Sequence, residues 1–77
     1  MKRKQVGDEV SLWFSENDTY DWATRPNKEW PCSTLKNKRV FVRLAKNGDI
    51  VDCKVDGKEP DIDNAELRAM IKDLAGL

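Results

Sequence analysis

The sequence of 77 residues predicts an α+β domain: a three-stranded antiparallel sheet with one C-terminal helix packed on one face and a long aromatic loop between strands one and two. Three observations lead there. Two alternating apolar runs flank Asn47-Gly48, an apolar stripe at helical spacing follows a capping sequence near the C-terminus, and a third alternating run lies near the N-terminus.

Val10, Leu12 and Phe14 alternate with Ser11 and Trp13, which predicts a first strand over residues 9–14 with Trp13 on the face away from the helix. The preceding residues 1–7 hold Lys2, Arg3 and Lys4 without any alternation and read as a flexible or edge-covering basic arm. The second and third strands are the runs Arg39–Ala45 and Asp49–Asp56. Asn47-Gly48 readily takes the two positive φ angles of a type I′ turn. A two-residue loop would set Leu44 opposite Val51, Val42 opposite Cys53 and Val40 opposite Val55 on the core face. Phe41 would then share the other face with Trp13. For the helix, Asp63 reads as the N-cap and Glu66 as its capping-box partner, with Ile62 placed to staple onto Leu67. Leu67, Met70, Ile71 and Leu74 form the stripe, and Gly76 suits the residue after the helix.

Residues 15–38 hold Tyr20, Trp22 and Trp30 among turn signals. Asn17 or Asp18 can cap a single helical turn that Arg25-Pro26 would end, because the residue before proline is pushed out of the helical region. A loop this long in so small a domain implies either a binding loop or one packed by its own side chains.

The formal charge is zero, but the signs are segregated: residues 1–7 are basic, 8–23 acidic, 24–46 basic and 47–63 acidic. Such blocks usually pair when a small domain closes. With two cysteines, no C-x-x-C pair and no histidine, the sequence gives no ligand set for zinc, and no metal or other cofactor is expected. Asp52, Asp56, Gly57 and Asp63 fall at calcium-loop spacing, yet Lys54 occupies a ligand position, so the match is chance. The basic start lacks a following apolar run, and no stretch approaches a membrane span, so the chain reads as cytoplasmic with free thiols and no membrane partner.

The pattern Asp18-Thr19-Tyr20-Asp21-Trp22-Ala23, then Arg25-Pro26, Trp30-Pro31-Cys32-Ser33 and Leu35, followed by the Asn47-Gly48 hairpin, resembles one found in small uncharacterised proteins of bacteria and their mobile elements. The resemblance spans residues 11–57 and implies a setting, bacterial or phage, without implying an activity.

Function is less legible than fold. Cys32 follows a proline among basic residues, which favours a reactive thiol, but no histidine exists to act as its base, so a nucleophilic Cys32 is a minor reading and a non-enzymatic protein the main one. Tryptophan, tyrosine and arginine dominate binding hot spots, so Trp22, Trp30, Arg25 and Tyr20 are the candidate surface for a protein partner or a second copy of the chain. The alternative is single-stranded nucleic acid, gripped by Lys2, Arg3, Lys4, Arg25, Lys28, Lys36, Lys38, Arg39 and Arg43 interleaved with Trp22, Trp30 and Phe41. The plainer reading of every tryptophan is a core side chain, since a domain of this size has few large groups with which to build one.

Overall fold

The computed structural model describes residues 1–26, 34–60 and 64–77. Trp30, Lys28, Cys32, the expected Asp63 cap and the Ile62 staple lie outside the described residues. Six elements follow one another: β1 (Lys2–Val6), β2 (Glu9–Phe14), α1 (Glu16–Ala23), β3 (Val40–Leu44), β4 (Ile50–Val55) and α2 (Asn64–Ala75). The α+β class, antiparallel sheet and C-terminal helix agree with the sequence. Among the described residues, however, the sheet has four strands in the order β1-β2-β3-β4, and there are two helices.

The extra strand is the basic arm. Gly7, at φ +59°, and Asp8 make a two-residue turn closed by Val6 opposite Glu9, which zips Lys2–Val6 onto β2. Glycine at the first turn position fits the II′ geometry that matches strand twist. Every residue of β1 is exposed. Apolar alternation cannot reveal a strand that buries neither face.

The second correction is α1, which takes up the first part of the expected aromatic loop, Glu16–Ala23. Its cap is Ser15, not Asn17 or Asp18. The Ser15 hydroxyl accepts from Asp18 N–H at 3.1 Å, and the Asp18 carboxylate accepts from Ser15 N–H at 2.9 Å, a reciprocal capping box that uses aspartate where glutamate is usual. The chain's N-terminal ammonium adds an ion pair to Asp18 Oδ2 at 3.0 Å. Burial alone would raise the Asp18 pKa, but the Ser15 amide and hydroxyl together with that ammonium hold it below its ordinary value. A lowered carboxylate pKa stabilises the fold fully above the unfolded value of about 3.9, and that contribution is lost as pH falls through the folded value. Asp18→Ala is therefore expected to cost about 1 kcal/mol at neutral pH, in the range of a lost cap. Thermal melts from pH 7 downward should show the gap from wild type shrinking below about pH 4.

The β3–β4 turn differs from the two-residue expectation. Gly48 N–H donates to Ala45 C=O at 2.9 Å, Ala45 N–H donates to Asp49 C=O at 2.8 Å, and only Gly48 takes positive φ, at +90°. Three residues thus form the loop, a type I turn completed by a left-handed glycine. Asn47 caps it by accepting from Asp49 N–H at 3.0 Å. The longer loop shifts the register: Leu44 faces Ile50, while Val51, expected on the core face, bulges outward at 46% exposure. From Asp52 onward the expected pairs hold, with Arg43 opposite Asp52, Val42 opposite Cys53, Phe41 opposite Lys54 and Val40 opposite Val55.

Both helices lie on one face of the sheet. There Val10, Leu12, Phe14, Val40, Val42 and Leu44 meet Trp22 of α1 and Leu67, Met70 and Ile71 of α2, and Leu35 closes the core from the segment between α1 and β3. Two polar clasps hold that segment. The buried Thr19 hydroxyl donates to Lys38 C=O at 2.8 Å and accepts from Lys38 N–H at 3.0 Å. The Glu66 carboxylate, 7% exposed, accepts from Thr34 N–H at 3.0 Å and from its hydroxyl at 2.8 Å. At the far end of α2, Gly76 at φ +73° turns its N–H back onto Lys72 C=O at 2.9 Å, the expected C-terminal cap.

Candidate functional site

Successive helical residues project about 100° apart, so on α1 Tyr20 and Trp22 point in nearly opposite directions. Trp22 is fully buried, and its indole N–H donates to Asp73 Oδ2 on α2 at 2.9 Å. It belongs to the core and offers no surface to a partner. Tyr20 is 45% exposed with the Lys36 ammonium 5.4 Å from its ring centre, and Arg25 is exposed. The structure therefore separates Trp22 from Tyr20 and Arg25 rather than joining them in one aromatic surface.

A different pair of rings lies on the opposite side of the molecule. Directly paired residues of an antiparallel sheet point to the same side. The face away from the helices thus carries two cross-strand rows: Lys2, Trp13, Phe41 and Lys54, then Lys4, Ser11, Arg43 and Asp52. The expectation that Trp13 and Phe41 share this face holds. Their ring centres lie 5.3 Å apart with planes tilted by 41°. No loop bearing Trp22 covers them, and Trp13 remains 38% exposed.

Beside the rings is an open hollow of about 450 Å³, lined by Met1, Lys2, Trp13, Phe14, Ser15, Arg39, Val40, Phe41, Lys54 and Gly57. Among the described residues its lining includes three cationic side chains and no carboxylate. Lys2 has no ion-pair partner among the described residues. Arg39 meets Glu16 at 3.8 Å and Lys54 meets Glu59 at 3.5 Å, both as exposed pairs. Surface pairs of this kind are worth about 0–1 kcal/mol and are easily exchanged for another anion. The second row is more nearly neutral, since Arg43 has Glu9 at 3.6 Å and Asp52 across the strand. The hollow is thus the more cationic end of the face.

No family model, no curated protein and no solved structure matches the chain. The chemistry must be read from the side chains themselves.

Cys53 contributes little. It packs half-buried at the edge of the core, and burial, helped by Asp52 and Glu59, pushes its thiol up to about 11, so it stays protonated and unreactive at neutral pH. No helix among the described residues is long and apolar enough to cross a membrane.

Trp13 is not among the site residues that the aromatic-rich segment suggests. A signal was present: Trp13 and Phe41 both have the wrong parity for the core of their strands. An aromatic residue placed out of phase with its strand's apolar alternation faces solvent unless another layer covers it.

Proposed function

We propose that this protein is a non-enzymatic binding module that holds single-stranded nucleic acid on the uncovered face of its sheet. One observation carries the reading: two adjoining aromatic rings on that face, beside a hollow edged by Lys2, Arg39 and Lys54 and lined by no carboxylate among the described residues. Bases stack on aromatic side chains irrespective of sequence, and cations beside the rings take up the phosphates. Stacking bases on sheet aromatics is an established mode of single-strand recognition. A duplex hides the faces of its bases and cannot use such a platform. This platform keeps Phe41 from the nucleic-acid set that the sequence indicates and adds Trp13, whereas Trp22 is buried. Docking of a protein partner or a second copy through Tyr20 and Arg25 has less support, because Trp22 is withdrawn into the core.

The test is titration of labelled oligothymidylate and oligouridylate across a salt series. Three phosphate contacts predict a log–log slope of about −2 for a single strand. Absence of binding at tens of micromolar, affinity indifferent to salt, or equal affinity for duplex would overturn the proposal.

A further inference from the structure

The geometry points to the outer edge of β1 as a docking site for an acidic, extended segment of a partner protein, which adds to the sheet as a fifth strand. The two edges of the sheet differ. On β4 the outward backbone groups are occupied within the chain: Val55 N–H donates to Lys58 C=O at 2.8 Å, Lys58 N–H returns to Val55 C=O at 3.1 Å, and Cys53 N–H donates to the Asp52 carboxylate at 2.9 Å. The Val51 bulge twists the rest of that edge away from regular pairing. None of these devices is present on β1. Its two-residue turn places Val6, and hence Lys4 and Lys2, in the hydrogen-bonded pairs with β2. Arg3 and Gln5 consequently turn their backbone N–H and C=O outward, and neither has a backbone partner on that side among the described residues.

An open edge accepts a strand, and the side chains select which one. Lys2 and Lys4 point to the uncovered face and Arg3 to the helix side, so cations meet an added strand on both of its faces. Below the helix side of β1 lies a hollow of about 530 Å³, where Arg3, Lys46 and Arg68 surround a floor that includes Val10, Leu44 and Ile71. Among the described residues none of those three cations has an ion-pair partner, and Asp8 bears the sole carboxylate side chain on the lining. A second copy pairing through its own β1 would set Lys2, Arg3 and Lys4 of both chains side by side, where like charges repel. The fitting occupant is therefore a strand whose residues alternate acidic and apolar.

The probe is a fluorescein-labelled decapeptide of alternating glutamate and valine, with a lysine–valine peptide as control. Binding of the acidic peptide should slow hydrogen exchange at the Arg3 and Gln5 amides by about tenfold or more, and added salt should weaken it. Gln5→Pro removes an outward donor, a change an edge strand tolerates, and should abolish binding with little change in melting temperature. The triple reversal Lys2→Glu, Arg3→Glu, Lys4→Glu should exchange the preference in favour of the lysine–valine peptide, which keeps the test decisive even if the proline variant unfolds. Unchanged exchange at both amides with millimolar peptide, equal binding of the two peptides, perturbation at Trp13 and Phe41 instead, or edge protection arising from protein concentration alone would each overturn the proposal.

Discussion

Trp22→Ala is expected to unfold the domain at ambient temperature or bring it to the verge of unfolding. Removing a fully buried indole costs about 3–5 kcal/mol through lost transfer energy and the cavity left behind. A chain of this length has a total of only about 4–12 kcal/mol. The loss is aggravated because Trp22 joins the two helices: its ring packs in the core and its N–H reaches Asp73 on α2 at 2.9 Å. Trp22→Phe separates the two contributions, since it retains most of the apolar bulk and deletes the donor. It should cost about 1–3 kcal/mol, seen as a melting temperature lower by several degrees to about 20 °C. Circular dichroism melts of the two variants check this. A Trp22→Ala protein that melts within a few degrees of wild type would remove the indole from its place in the core.

Trp13→Ala combined with Phe41→Ala should abolish binding of single strands and leave the fold standing. Stacking is worth about 1–3 kcal/mol per base, so each single change lowers affinity by about 5- to 150-fold. The double change should leave only the weak, salt-sensitive attraction of Lys2, Arg39 and Lys54. Stability responds differently, because Trp13 is already 38% exposed and its contact with Phe41 is a surface cross-strand pair worth about 0.5–1.5 kcal/mol. Titrations run beside melts distinguish the effects: lost affinity with a nearly unchanged melt supports a platform, and unchanged affinity excludes these rings from the interface. Lys2→Glu should weaken binding and flatten the salt slope without touching the rings.

The legible parts of this fold were those in which burial leaves a period. The alternation of Val10, Leu12 and Phe14, the core pairs of β3 with the second half of β4, and the stripe Leu67, Met70, Ile71 all follow from one face meeting the core. What escaped notice has other causes. β1 buries neither face, so only the Gly7-Asp8 turn betrays it. α1 is short and mostly polar on its exposed side, and its capping box, Ser15 with Asp18, departs from the glutamate form. The displacement of Val51 turns on whether Asn47 and Gly48 both take positive φ or Gly48 does so alone, a local choice that the dipeptide leaves open. For the candidate site, burial withdraws Trp22 from the surface, while Tyr20 and Arg25 stay exposed and Trp30 lies outside the described residues. Density of aromatics in sequence drew attention to Trp22 and Trp30, whereas strand parity singled out Trp13 and Phe41.

The placement of α1 between the two central strands bears on how the molecule assembles. β1 with β2, and β3 with β4, are joined by tight turns and can each zip up from neighbours close along the chain, on a timescale of about 1–10 μs. Phe14 and Val40, by contrast, face one another only after residues 15–39 have looped back. That closure is opposed by chain entropy until Trp22, Leu35 and the Thr19–Lys38 clasp fall into place. The seam between β2 and β3 is thus expected to close last, which φ-values at Phe14 and Val40 would check. It runs beneath Trp13 and Phe41, so the two rings become neighbours only in the last stage of folding.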